Sequence, residues 1–173
     1  MLLILKLFVD ICLLRANPED IPPSRFLFSI TLAGYFLLSL GIVLHDNSTA
    51  QALTIVLVGF IMMIGFAQAG LWIRNFLNRS MQTITALAGT GIIFDSISWP
   101  LVTLAANYPA DEFMFPRYLL LIILFWNITV IGHILRNALS IPFWAGIGIS
   151  IIYVFTYLRV IRILFIANTS AVS

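Results

Sequence analysis

The sequence has 173 residues, of which 61% are hydrophobic and only 9% are charged. A water-soluble domain of this length exposes much of its surface and carries about a quarter of its residues charged, so the composition excludes that class of protein. The net charge of +2 comes from Lys and Arg residues scattered singly between apolar runs, and the lack of a basic cluster excludes nucleic acid as a partner.

The N-terminal segment, residues 1–16, is apolar but too short to cross a bilayer. Lys6 and Asp10 lie four residues apart and share one face of a helix. The segment is therefore either an amphipathic interfacial helix in the membrane plane, which is the favoured interpretation, or a half-buried helix packed against a bundle. Cys12 lies in this apolar run and is expected to be a small buried side chain. Asn17, followed by Pro18 and two acids, predicts a capped turn.

Five apolar runs that follow are each long enough to span the membrane. A hydrocarbon core about 30 Å thick needs about 20 apolar residues in a helix. The runs are Phe26–Leu44, Ala52–Ile73, Thr83–Ala105, Tyr118–Leu135 and Pro142–Leu158, and the last either ends there or continues to Ile166. Ser24 is the expected N-cap of the first, and Trp99-Pro100 is expected to interrupt the third. The sequence predicts an all-α, single-domain membrane bundle of about five transmembrane helices plus the N-terminal interfacial helix.

The basic residues predict the orientation of this bundle. If the N-terminus is cytoplasmic, six of the nine basic residues fall on the inner side, which agrees with the positive-inside rule. Arg117, Arg159 and Arg162 fall outside. The fifth helix is therefore expected either to be long enough to pack its arginines against the bundle or to re-enter the membrane. We expect a bacterial inner-membrane protein with a cytoplasmic N-terminus.

Small residues at four-residue spacing mark candidate helix contacts. In lipid, helices associate through close backbone approach, and such spacing places the small residues on one face. Gly65 and Ala69 fit this pattern in the second run, and Gly146 and Ser150 fit it in the fifth. These faces either pack within the bundle or dock a partner membrane protein or a second copy of the chain.

Polar residues inside the apolar runs are the candidate functional residues. Asp95 lies mid-span, where a charged group costs about 2.5–3.5 kcal/mol, and Ser98 follows it by one helical turn. Asp95 either binds a proton or cation or locks helices together through hydrogen bonds. His133 and Arg136 share a stripe that lines a polar crevice or contacts headgroups. Gln68 is a candidate partner for Asp95 or His133.

Several kinds of chemistry are not expected. His45 lies in a turn and His133 lies near the opposite membrane face, so the pair is unsuited to a haem with two histidine ligands. A tetrahedral zinc site needs more ligands at one depth than the sequence supplies. The sequence has no glycine-rich phosphate loop and no Ser-His-Asp arrangement. We therefore expect no catalytic, cofactor or metal site, and a protein that is not an enzyme.

The run from Arg15 to Pro22, RANPEDIP, leads directly into the first span. This run and the count of five short spans after a cytoplasmic segment resemble the Yip-type membrane proteins, including small bacterial inner-membrane members of unknown function. The resemblance covers the whole chain through its span count, and it transfers no functional residue. It implies a five-helix bundle with a scaffold or assembly role.

The sequence is compatible with two functions. The first is an accessory, scaffold or assembly subunit that acts without catalysis, through helix–helix contacts with a partner membrane protein. The alternative is a small transporter or channel that uses Asp95 and His133 for proton or cation handling. The alternative requires a continuous polar path between these two residues.

Overall fold

A computed structural model describes residues 2–45, 47–107 and 114–170, with side chains as far as residue 164. Two predicted connections thus lie partly outside the described residues, at Asp46 and at 108–113. Six α-helices make up the described chain, with two short 3₁₀ turns at Pro18–Asp20 and Leu77–Arg79. The α-helices are α1 (Leu2–Cys12), α2 (Arg25–Val43), α3 (Thr49–Ile73), α4 (Ser80–Asn107), α5 (Phe115–Leu139) and α6 (Phe143–Ser170).

Five of these helices, α2 to α6, are long and apolar enough to cross a membrane. The prediction of an all-α bundle with five spans is confirmed. Most helix ends lie within about one turn of the predicted limits, because the apolar runs set the length that a bilayer requires. The fold therefore defines the chain as a polytopic helical membrane protein.

The predicted helix starts are formed by local hydrogen bonds. The Ser24 hydroxyl accepts a hydrogen bond from the backbone N–H of Leu27 at 3.4 Å, which satisfies one free donor at the start of α2. The backbone N–H of Asn17 donates to Asp20 Oδ2 at 2.8 Å, which closes the turn before α2.

α4 continues through Pro100, so the expected interruption at this residue is wrong. Proline removes one backbone hydrogen bond, but in lipid the neighbouring backbone groups still have no better partners than those within the helix. The Thr103 hydroxyl donates to the carbonyl oxygens of Pro100 at 2.9 Å and Trp99 at 3.3 Å. These bonds reinforce the turn after the proline, whereas the carbonyl that Pro100 leaves without its usual helical partner is that of Ser96.

α6 is a single continuous helix of 28 residues, and it does not turn back into the membrane. Arg159 and Arg162 both have exposed side chains on it. The expectation of a long helix is therefore confirmed, whereas the arginines do not pack against the bundle and the helix does not re-enter. The greater helix length places these two charges near its end instead.

The five spans alternate in direction, so α2, α4 and α6 run parallel and α3 and α5 run opposite to them. The closest packing joins α2 to α4, α4 to α5 and α5 to α6. These four helices form the tightly packed part of the bundle. α3 contacts all four of them more loosely than they contact their main neighbours. Because α3 packs less closely on the other spans, a cavity remains between it and them.

The closest approach of two spans occurs between α5 and α6. A Cβ atom added at Gly146 would overlap the carbonyl oxygen of Gly132, so only glycine fits there. Beside it, the Ser150 hydroxyl donates to the carbonyl oxygen of Ile128 at 3.0 Å. The predicted Gly146–Ser150 face therefore packs against α5 inside the bundle.

α1 packs against α4 and α5. Phe8, Ile11 and Cys12 are buried there, and the ring of Phe8 covers Gly89. The indole Nε1 of Trp126 donates to the carbonyl oxygen of Cys12 at 2.9 Å. Of the two interpretations of this segment, packing against the bundle is the one that these contacts describe. The opposite face of α1 is exposed, and its place at the membrane interface stays a prediction.

One end of the bundle is the end where α2 and α4 begin, and we call it the closed end. Polar contacts there connect segments that are distant in the sequence. Arg79 pairs with Glu19 at 2.7 Å. Gln82 Nε2 donates to the carbonyl oxygen of Ile21 at 2.7 Å. Arg74 Nε donates to the carbonyl oxygen of Leu139 at 3.2 Å. Side chains thus satisfy free carbonyl groups at this end and hold the N-terminal segment, α3 and α5 together.

Candidate functional site

A cavity of about 430 Å³ lies among the five spans. We call it the central cavity. Its lining comes from the last part of α2, the first two thirds of α3, the middle of α4 and α6, and α5 from Leu120 to Leu135. The cavity therefore lies in the middle of the bundle and toward the end away from the closed end. Most of the lining is aliphatic or aromatic. Its polar side chains are Tyr35, Ser39, Thr90, Asp95, Ser98, Asn127, Tyr153 and Tyr157.

Asp95 and Ser39 face each other across the α2–α4 contact. The Ser39 hydroxyl donates to Asp95 Oδ2 at 2.6 Å. This length is typical of a hydrogen bond to a carboxylate. The two residues meet because α2 and α4 are parallel, and each residue lies about 22 Å along its helix at 1.5 Å per residue. The helix register, and not the local sequence, creates this pair.

The carboxyl of Asp95 is only partly enclosed by protein. Its side chain is half-buried and contributes to the cavity lining. Within the described ranges, no Lys or Arg forms an ion pair with it. The Ser39 bond occupies one carboxyl oxygen, so the other is left for a group inside the central cavity.

Two glycines allow tyrosine rings to line the central cavity. A Cβ added at Gly91, one turn from Asp95, would lie 2.6 Å from the Tyr35 ring. A Cβ at Gly59 on α3 would lie 3.1 Å from the Tyr157 ring. Both tyrosines line the central cavity together with Asp95. The cavity that holds the carboxyl therefore has aromatic side chains from both α2 and α6 in its wall.

Of the predicted polar residues, only Ser98 joins Asp95 in the central cavity. Gln68 is exposed on α3, on the side that faces away from the other spans. It contacts neither Asp95 nor His133, so it does not serve as the interhelical partner of either.

His133 lies on the opposite side of α5 from the cavity. Its Nε2 atom is 3.1 Å from the carbonyl oxygen of Ala16 and 3.3 Å from Asn137 Nδ2. It is buried by the N-terminal segment. Arg136 lies near the ring of Phe143, 5.9 Å from its centroid. The structure thus separates His133 and Arg136 from Asp95, and the polar path expected between them is not formed in the described chain.

The second small-residue pair remains on the surface. A Cβ added at Gly65 would meet nothing within 4 Å, and Ala69 is exposed one turn further along α3. This face of α3 contacts no other span. In contrast, the Gly146–Ser150 face packs against α5 within the same chain.

The remaining candidate ligands are dispersed. Cys12 is buried against α4 and α5, and burial raises the pKa of its thiol to about 11, which makes it unreactive. Among the residues that the structure describes, no three His, Cys, Asp or Glu side chains come together in a way that could hold a metal ion.

Sequence reasoning missed three residues of the site, Ser39, Tyr35 and Tyr157. Their side chains follow no local motif, because each reaches the cavity from a different helix from Asp95. The glycines opposite the tyrosines were a usable signal, since a glycine in a span allows a close approach of a neighbouring group.

Comparison with protein-family models, curated proteins and solved structures finds no match. The function is therefore argued from the geometry of the central cavity.

Proposed function

We propose that this protein is a small transporter that binds its substrate in the central cavity beside Asp95. The single observation that supports this is a carboxyl group presented to an apolar and aromatic cavity between five membrane spans. Ligand sites in proteins have volumes of about 300–1,000 Å³ and combine apolar walls with a few polar groups. The central cavity has both properties.

A purely structural role for Asp95 explains less of this geometry. The α2–α4 contact is already close, because Gly34 lies against Ile92 and Gly91 lies against Tyr35. A single hydrogen bond from Ser39 adds little in a bilayer, where such bonds average about 0.6 kcal/mol. An ionisable group inside a span is costly and is retained where it contacts a substrate pathway. Its access to the cavity supports that role.

The proposal changes one part of the transporter hypothesis. His133 faces the N-terminal segment and does not line the cavity. The polar groups that accompany Asp95 there are the tyrosines and Ser39. Among the described lining residues Asp95 is then the one carboxyl, and the substrate is handled there and not along a path to the closed end.

Filling the central cavity should prevent ligand binding. Val154 on α6 lines the cavity, and Val154→Trp places a bulky indole in it. Ile152→Trp is the matched control, because Ile152 is 61% exposed on the same helix and faces away from the cavity. The measurement is the rise in apparent Tm that octyl-chain probes (an amine, an alcohol and a carboxylate) cause in purified protein, since a bound ligand stabilises the folded state. Wild type and Ile152→Trp should respond, and Val154→Trp should not.

A probe-induced rise that is the same in all three proteins would contradict the proposal, because binding would then take place outside the cavity. The absence of any rise in wild type would contradict it as well. The Tm of each protein without probe shows that the substitutions leave the fold intact.

An assembly role is the second candidate, and one observation favours it. The Gly65–Ala69 face of α3 is open to close approach by another helix. We propose that this face contacts a partner membrane protein or a second copy in the scaffold role that the Yip-type resemblance implies. Gly65→Leu should then leave the chain folded and remove the partner on purification in mild detergent. A partner that is retained by this variant would exclude the face.

We also propose that the N-terminus is cytoplasmic in a bacterial inner membrane. The proposal is supported by the basic residues near the closed end, which include Arg25, Arg74, Arg79 and Arg136. With five spans, a reporter fused to the C-terminus should appear on the outer side. A cytoplasmic C-terminal reporter would reverse the assignment.

A further inference from the structure

We infer that the central cavity takes a lipophilic organic cation, meaning an ammonium group attached to an apolar chain. The inference rests on the proposed function and specifies its substrate class. It follows from three properties of the cavity: the charge that Asp95 offers, the rings around it and the apolar character of the remaining walls.

The first property is the unpaired carboxyl. Asp95 receives a hydrogen bond from Ser39, and no basic side chain within the described ranges offsets its charge. An enclosed carboxyl without a counter-ion favours its neutral, protonated form, and a nearby cation favours the ionised carboxylate. A cationic group on a ligand would supply the missing partner at the carboxyl oxygen that faces the cavity. A ligand carboxylate gains no such ion pair, and a neutral ligand forms at most a hydrogen bond with the carboxyl.

The second property is the aromatic wall. Tyr35 and Tyr157 lie near the carboxyl, and Tyr153 packs against Phe66 with ring centroids 5.2 Å apart. Aromatic faces attract ammonium groups, and this attraction increases where water is excluded. Rings and a carboxyl together therefore recognise an organic cation.

The third property distinguishes an organic cation from a metal ion. Hard cations such as Ca²⁺ and Mg²⁺ need about six or more oxygen ligands. The cavity as a whole is instead lined largely by carbon, from residues such as Val56, Met63, Leu120 and Leu124, and Asp95 is the one carboxyl among its described lining residues. These walls suit an alkyl or aryl chain that extends from the ammonium group.

The test compares four probes with the same eight-carbon chain: octylamine, octyltrimethylammonium, octanol and octanoate. Apparent affinities are obtained from the concentration dependence of the Tm of wild type, Asp95→Asn and Ile152→Trp at neutral pH. Wild type and Ile152→Trp should bind the two cations at least about tenfold more tightly than octanol, and octanoate most weakly. Asp95→Asn keeps the shape of the side chain and should lose this preference, while its affinity for octanol stays within about twofold.

The outcomes separate the inference from the proposed function. Equal binding of octanol and the two cations by wild type, or tighter binding of octanoate, would overturn the cation inference and leave a ligand-binding cavity. Retention of the cation preference by folded Asp95→Asn would overturn it as well, because the selectivity would then arise elsewhere. If no probe raises the Tm of wild type, that result contradicts both the cation inference and the proposed function. Should Asp95→Asn fail to fold, the ranking of the four probes on wild type decides the inference.

Discussion

Replacement of Gly146 by valine should force α5 and α6 apart and destabilise the bundle. A Cβ at this position would overlap the Gly132 carbonyl oxygen and would also lie 3.2 Å from Arg136 Cβ. The carbonyl belongs to a helix backbone and cannot rotate away as a side chain would. Overpacking usually costs about 1–3 kcal/mol, and we expect Gly146→Val to reach about 3 kcal/mol or more because two helices must shift. Thermal unfolding in mild detergent measures the loss.

Gly148→Val provides the control on the same helix. A Cβ at Gly148 meets nothing within 4 Å, so the added methyl groups project away from α5. Both variants change the helix propensity of α6 equally, and only one introduces the overlap. Similar unfolding temperatures for the two variants would show that the α5–α6 contact is less close than the structure describes.

Replacement of Gly89 by leucine should displace α1 from the bundle. A Cβ at Gly89 would overlap the ring of Phe8, which is the main side chain that α1 places against α4. Displacement would expose Cys12, whose thiol has a pKa raised by burial to about 11 from an ordinary 9.0. At pH 8 the thiolate fraction would then rise about a hundredfold, since the thiolate is the reactive form. Labelling of Cys12 by a maleimide at pH 8 should accelerate accordingly.

The control for this experiment is Gly65→Leu, which adds the same side chain to an open position on α3. Its labelling should be as slow as that of wild type, and all three proteins should label rapidly after unfolding. Slow labelling of a folded Gly89→Leu protein would mean that α1 accommodates the leucine without leaving its site. Rapid labelling of native wild type would contradict the burial of Cys12 itself.

The five spans could be predicted from the sequence because bilayer thickness fixes how many apolar residues a helix needs. The caps at Ser24 and Asn17 could be predicted as well, since both depend on residues within one turn. The Pro100 prediction was wrong because it applied the rule for helices in water, where a broken helix can bond to solvent. The continuation of α6 beyond Leu158 stayed open in the prediction because Arg159 and Arg162 interrupt the apolar run at that point.

The composition of the site could be predicted only in part. Asp95 was identified from its cost in a span, which requires no knowledge of other helices. Its partner Ser39 depends on the parallel register of α2 and α4, two helices whose contact is set by tertiary packing. His133 was assigned to the wrong surroundings for a similar reason, because the N-terminal segment that covers it was not expected to reach that face of α5.

The loose packing of α3 has a consequence for how the protein opens. α2, α4, α5 and α6 form a series in which each helix packs closely on the next, so α3 can move as one unit while that series stays assembled. Regions with few buried contacts open at a lower free energy than the whole protein unfolds. Amide hydrogens of α3 should thus exchange with solvent before those of α4 and α5. The same fluctuation would admit a molecule sideways from the lipid, so that the membrane and not the aqueous phase acts as its reservoir.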